Sequence, residues 1–253
     1  MIFSENAFLG QRFLITGASS GIGRTTAQQL AACGAQLVIN GRDENRLTYT
    51  LNSLAGTNHR ALVADVGSLD HGHDLVMRAT EDGQPLNGVF HAAGVVSLRQ
   101  TKLLNDDHVD AIFSTSVSSA LGIAKACAKK KALAEGSSVL FMSSVAGSRG
   151  RSGMTAYAAS RAALGGLTRA LAAELAPRKI RVNELIAGAV ETPMHEGIVK
   201  NLDPGSQDAY RNLHLLGFGN PLDVAQAALF LLSDGSRWVT GSSMVVDGGY
   251  MAC

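Results

Sequence analysis

Seven short runs of apolar and β-branched residues recur along the chain: "RFLIT" (12–16), "QLVIN" (36–40), "RALVA" (60–64), "GVFHA" (88–92), "SVLFM" (138–142), "RVNELIA" (181–187) and "MVVD" (244–247). Between them lie longer segments with helical spacing. Apolar strands alternating with helices imply parallel strand–helix–strand units, with helices covering both faces of one sheet. The expected fold class is α/β, a doubly wound parallel seven-stranded sheet. No tandem repeat, low-complexity tract or linker interrupts the alternation, and the five prolines are scattered, so residues 1–253 are read as one domain. A hydrophobic content of 46% over 253 residues is enough to bury a core of that size.

Charge narrows the partners. Lys and Arg total 22 against 21 Asp and Glu, a net charge of +1, so no overall basic field is available for nucleic acid or an anionic membrane. A small-molecule carbonyl or alcohol substrate is expected instead. The lysines of "KKK" (129–131) are read as a solvated helix end. Cys33, Cys127 and Cys253 are odd in number, far apart and without CxxC spacing; they are read as packing residues in a reducing compartment. Glu5 stands where a secretory signal would be apolar, and no run approaches the roughly 18 apolar residues of a membrane span. A cytoplasmic protein is the expectation.

"LITGASSGIGRTTAQQL" leaves the first strand, passes Gly17, Gly21 and Gly23, and enters a helix. Glycines let the backbone turn tightly and approach a pyrophosphate, while a helix N-terminus offers unpaired N–H groups and a positive dipole end. In a Rossmann-like setting, directly after the first strand, this loop predicts nucleotide binding. The second strand ends in Asn40 and Gly41 with no acid for a ribose 2′-hydroxyl, whereas Arg42 can pair with a 2′-phosphate. NADP(H) is therefore the expected cofactor.

"LFMSSVAGSRGRSGMTAYAASR" brings Ser144 off a strand end and puts Tyr157 and Arg161 on the next helix. Residues four apart share a helical face, so phenol and guanidinium can point into one cleft. A tyrosine titrates near pKa 10 in water, and a nearby cation favours its phenolate, which suits proton exchange with a substrate oxygen.

With these motifs in order, the chain resembles the classical short-chain dehydrogenase/reductase family over nearly its whole length: "TGASSGIG" (16–23), "ADV" (64–66), "HAAG" (91–94), the serine and tyrosine segment, "AGAVETP" (187–193) and "VTGSSMVVDGG" (239–249). The resemblance implies that Ser144 holds the substrate oxygen and Tyr157 acts as acid or base. It implies that Asp65 contacts adenine, that Gly94 lines the cofactor, and that Val190 and Thr192 hold the nicotinamide carboxamide. Ser19, Ser20, Ile22, Val66, Ala93 and Gly188 complete the implied cofactor-binding set, with Tyr157 and Arg161 on the nicotinamide side. It also implies a homodimer or homotetramer paired through the helices at 107–131 and 155–177.

The departures are as informative. Arg161 replaces the family's usual lysine, and Ser116 falls where an asparagine usually supports a water-linked proton relay. Arg161 keeps the charge but is bulkier and cannot give up its proton. "HAAG" lacks both asparagines of the usual turn, and Ala187 replaces a common proline. His91 is read as a strand-end packing residue, and "HGH" (71–73) as a surface loop without metal. His195, Glu196 and His214, in the polar segment at 193–217, favour a polar substrate. The leading reading is an NADP(H)-dependent oxidoreductase interconverting a ketone and a secondary alcohol, with a reductase of 3-oxoacyl chains on acyl carrier protein as a narrower version. The alternative is an NADP(H)-binding protein with little or no turnover, a sensor or assembly subunit.

Overall fold

The structure is a computed structural model that describes residues 3–200 and 203–252; Cys253, read above as a packing residue, lies outside the described residues. The strands β1 (Arg12–Thr16), β2 (Gln36–Gly41), β3 (Arg60–Val63), β4 (Leu86–His91), β5 (Leu133–Ser144), β6 (Arg181–Ala187) and β7 (Ser243–Val246) form one sheet. Their order is β3-β2-β1-β4-β5-β6-β7, and every pairing is parallel. The helices are α1 (Gly21–Ala32), α2 (Glu44–Asn52), α3 (Leu69–Ala79), α4 (Asp106–Phe113), α5 (Ser119–Cys127), α6 (Thr155–Leu175), α7 (Pro193–Val199), α8 (Pro204–Asn212) and α9 (Pro221–Leu232). A π-helical turn, Ser114–Ser118, joins α4 to α5.

Strand side chains alternate faces, so each apolar run serves two cores at once. Phe13, Ile15, Leu37, Ile39, Phe90, Leu140 and Leu185 pack with Leu30 of α1, Leu47 of α2 and Leu229 of α9. Their chain neighbours Leu14, Val38, Val89, Val139 and Phe141 pack on the other face with Leu75 of α3, Ile123 of α5 and Leu164 of α6. That double burial is why the strands read as continuous apolar runs.

Strand order reverses between β1 and β4, and a crevice opens there beyond the carboxyl ends of the strands. Helix starts differ in the same place. The N-cap side chains of α2, α3, α4, α7, α8 and α9 accept from first-turn N–H groups. Ser20 before α1 and Met154 before α6 do not, which leaves first-turn donors of both helices without a side-chain acceptor.

One expectation is corrected. "HGH" is not a loop: it lies in α3, because Gly72 packs where a Cβ would come 2.3 Å from the Ser119 carbonyl oxygen of α5. His73 meets Asp74 at 3.0 Å. The lysines at 129–131 sit exposed just beyond the end of α5, a solvated helix end as read from the sequence, and Arg178 donates there to the carbonyls of Cys127 (3.1 Å) and Leu133 (2.7 Å). Cys33 and Cys127 are buried, and burial pushes the Cys127 thiol to about 12. Among the described residues no helix is long and apolar enough to cross a membrane, and no group of three or more His, Cys, Asp or Glu is placed to hold a metal.

Candidate active site

A cavity of about 770 Å³ lies along the carboxyl ends of the strands. All the residues named above as catalytic or cofactor-binding line it except Ser116.

Its first half is backbone. Gly17 has φ +65°, and a Cβ there would lie 2.8 Å from the Ala93 nitrogen. A Cβ on Gly23 would lie 2.4 Å from the Gly17 oxygen. The loop is thus folded onto itself and onto the end of β4 as only glycine permits. Its N–H groups and the uncapped start of α1 border open space, the arrangement that receives a phosphate. Farther out, Asn40 also lines the cavity; it is buried and donates to the carbonyls of Leu62 (2.9 Å) and Ala64 (3.0 Å), so its amide nitrogen ties β2 to β3. Arg42 is exposed on the rim, and Arg46, which carries no signal in the sequence, joins it one helical turn on, 3.4 Å from Asp43. β2 ends in Asn40 and Gly41 without an acid, and although Asp43 pairs with Arg46, the two guanidinium groups outnumber it at this rim, which fits a 2′-phosphate. Asp65 and Val66 form the opposite wall. These residues fit a phosphorylated dinucleotide.

The floor lies at the switch point. His91 is buried, with Nδ1 2.9 Å from Thr16 Oγ1 and Nε2 2.9 Å from Ser119 Oγ. Thr16 Oγ1 accepts from the Ala93 N–H (3.1 Å), so its own proton goes to His91 Nδ1; Ser119 donates to the Thr115 carbonyl (2.5 Å), so it accepts from His91 Nε2–H. The imidazole is a neutral Nε2–H tautomer with both nitrogens satisfied. Burial first, and the Arg161 charge second, lower its pKa to about 3. This histidine stitches β1, β4 and α5 together and does not line the cavity.

Arg161 stands beside it under different terms. The side chain is buried, its Nη1 donates to the Met142 carbonyl at 3.0 Å, and its Nε has no partner among the described residues. The guanidinium carbon is 4.9 Å from the Tyr157 ring centroid, within cation–π range. Room for the fork comes from Gly94, where a Cβ would be 2.3 Å from Nη2. No carboxylate pairs with this cation among the described residues, so a group entering the cavity is its available anion. Ser144 ends β5, where its Oγ accepts from the Ala146 N–H at 3.2 Å.

Ser116 is fully buried, its Oγ without a partner among the described residues, whereas its neighbour Thr115 lines the cavity. The π turn is responsible: the Ser119 N–H bonds Ser114 rather than Thr115, which shifts the helical register and leaves the Thr115 carbonyl to the Ser119 hydroxyl.

The far end is made of side chains from separate segments: Arg149, Arg151 and Met154 after β5, Met194, His195 and Ile198 of α7, Tyr210 of α8, and Tyr250. His195 is buried, its Nε2 without a partner among the described residues. Burial is the main cause lowering the pKa of His195. His214, by contrast, is a structural link: its Nε2 accepts from the Ala189 N–H at 3.1 Å, and its Nδ1 donates to the Tyr210 carbonyl at 3.1 Å. Glu196 is exposed and lines no part of the cavity. The two arginines and two tyrosines went unassigned in the sequence; the arginine pair between the serine and the tyrosine was the available signal.

The geometry agrees with what the chain is similar to. A family profile described as enoyl-(acyl carrier protein) reductase matches residues 17–251. Carbonyl reductase family member 4 of Danio rerio is 34% identical over 238 residues, covering 93% of this chain and 96% of that protein. The 3-oxoacyl-[acyl-carrier-protein] reductase FabG of Thermotoga maritima is 31% identical over 242 residues, covering 95% and 97%. A short-chain dehydrogenase from Burkholderia cenocepacia, solved in complex with NADP, superposes with a TM-score of 0.89 at 30% identity, covering 97% of this chain and 100% of that one. A glycine cradle at the switch point, a serine and tyrosine sharing its cavity, and matches that run the length of the chain lead to one conclusion: the chain belongs to the classical short-chain dehydrogenase/reductase family.

Proposed function

We propose that this chain, acting as one domain over residues 1–253, is an NADP(H)-dependent oxidoreductase that interconverts a ketone and a secondary alcohol. The observation that carries the reading is a single cavity shared by Ser144, Tyr157 and Arg161 with the Gly17–Gly23 loop and Arg42. When bound, the nicotinamide supplies a hydride to the carbonyl carbon, or takes one from the alcohol. The protein manages the oxygen. Ser144 Oγ holds it by a hydrogen bond. In reduction the Tyr157 hydroxyl gives its proton to the oxygen as it gains negative charge; in oxidation the phenolate removes it. Arg161 provides a fixed positive charge beside the Tyr157 ring and binds the nicotinamide ribose. The Gly17–Gly23 amides and the α1 N-terminus hold the pyrophosphate, Arg42 with Arg46 holds the 2′-phosphate, and Asp65 with Val66 contacts adenine. Val190 and Thr192 hold the carboxamide.

A cytoplasmic homodimer or homotetramer completes the reading. A panel of ketones with sugar, acyl-thioester and steroid frameworks, followed by NADPH consumption, tests it. Tyr157→Phe is expected to reduce turnover by about 100- to 10,000-fold with NADPH affinity nearly intact; full activity in that variant would overturn the mechanism. The second reading, a cofactor-binding protein without turnover, is favoured by the burial of Ser116 and the tethering of Arg161 to Met142. It predicts NADPH binding with no ketone consumed.

A further inference from the structure

Beyond Tyr157 the cavity ends in two arginines that nothing neutralises. Arg149 and Arg151 both line it, and neither forms an ion pair with a carboxylate among the described residues. The acids that line the cavity, Asp43 and Asp65, stand at the opposite, adenosine end. Glu191 lies 3.7 Å from Arg211, and Glu196, next to His195 in sequence, is exposed and lines no part of the cavity.

The two cations are positioned rather than loose. The Arg151 guanidinium carbon sits 4.0 Å from the centroid of the Tyr210 ring, and its Nη1 is buried without a hydrogen-bond partner among the described residues. Arg149 stacks over Tyr250 at 4.4 Å and donates to the Tyr250 carbonyl. His195 contributes the other unpartnered buried polar atom of this wall, Nε2. A guanidinium held on an aromatic face, half-buried, with a donor left over, is arranged to complete its hydrogen bonds with an anion. The cofactor's own phosphates belong to the glycine loop and the Arg42 rim, at the other end.

We propose that the substrate is an anionic carbonyl compound, its ketone at Tyr157 and a carboxylate or phosphate bound by Arg151 with support from Arg149. This rests on the oxidoreductase reading and narrows its substrate class. The anionic group is a spectator: no bond to it forms or breaks, and it sets which molecule lies with its carbonyl beside Ser144 and Tyr157.

The test uses matched pairs that differ in charge: acetoacetate and levulinate against their methyl esters, and dihydroxyacetone phosphate against dihydroxyacetone. Each is titrated calorimetrically into NADPH-loaded protein and assayed for NADPH consumption. The charged member of at least one pair is expected to bind and to be reduced about 10- to 100-fold better, the range of a charge-assisted hydrogen bond. Arg151→Met should collapse that preference to within about threefold, and Arg151→Lys should keep part of it. The NADPH affinity of each variant reports that it is folded. Esters matching or exceeding their acids, or an acid preference untouched by Arg151→Met, would overturn the proposal while leaving the oxidoreductase reading standing. Selective binding of the anion with no NADPH consumed would do the reverse, preserving the anion site and removing the enzyme.

Discussion

The two ends of the cavity are built by opposite strategies. The end proposed for the cofactor is built around backbone from one contiguous stretch, Gly17 to Gly23, folded so closely that methyl groups added at Gly17 or Gly23 would meet main-chain atoms, with side chains such as Arg42 at its rim. The substrate end is side chains from four separated stretches, stacked on one another, with donors left unpaired. Backbone contacts suit a ligand part that never varies, such as a pyrophosphate. Side chains suit a part that must be told apart from its relatives. The glycine loop of the first end should therefore be intolerant of substitution, while the second end should respond to the chemistry of the residue introduced.

The sharpest way to break this contrast is Gly23→Ala. With its Cβ 2.4 Å from the Gly17 oxygen, backbone must move. An overpacking penalty of about 3 kcal/mol corresponds to a loss in NADPH affinity of about 100-fold. Fluorescence titration checks this, and near-normal affinity would mean that the loop is less rigid than its contacts require.

Arg161→Met probes the boundary between the two ends. Removing a buried cation that has no carboxylate partner should leave folding stability unchanged or raise it by about 1 kcal/mol. Turnover should nonetheless fall by about 30-fold, as expected of a site residue whose charge is useful only with ligand present. Chemical denaturation and steady-state kinetics on the same preparation separate the two effects. A variant both less stable and fully active would make Arg161 a structural residue.

Arg42→Ala tests the rim. Loss of a charge-assisted contact worth about 1.5–2 kcal/mol should weaken NADP(H) by about 10- to 30-fold, with NAD(H) nearly unaffected. Equal weakening of both would remove the 2′-phosphate assignment.

The smallest effect concerns pH. The folded-state pKa of His91 is about 3, against an ordinary 6.5. As pH falls below 6.5 the unfolded chain takes up a proton that the folded chain refuses, so stability is present above 6.5 and is lost toward pH 3. The slope from this residue approaches about 1.4 kcal/mol per pH unit at most. His195 and His214, both lowered mainly by burial, act with the same sign. Denaturation midpoints between pH 7 and pH 5 should fall, and His91→Gln should flatten the fall although it begins from a less stable protein.

The features legible in the sequence are the local ones. Strands buried on both faces are rich in apolar residues, so "RFLIT" and "RVNELIA" coincide with β1 and β6 residue for residue, although β6 also buries Arg181, Asn183 and Glu184. The start of β5 at Leu133 was not legible, because its opening residues include Glu135 and Gly136, which are exposed and carry no apolar signal. The glycine loop could be read because its constraint is intrinsic to a residue without a side chain. Tyr157 and Arg161 could be read because helical spacing alone puts them on one face.

Other features required the assembled molecule. Gly72 reads as a break in a helix until α5 lies against it, when the absence of a Cβ becomes the reason that the helices can touch. Ser116 was placed by the resemblance, at the position of the usual asparagine, but in the π turn Thr115 comes to the cavity and Ser116 is buried. Arg149, Arg151, Tyr210 and Tyr250 meet across up to about 100 residues of chain, as the contact between Arg149 and Tyr250 illustrates. Backbone geometry and local periodicity let the sequence by itself determine the sheet, the phosphate cradle and the tyrosine helix. Only the tertiary structure decided which charges are left unpaired and where they point, because charge compensation is a property of neighbours in space and not of neighbours along the chain.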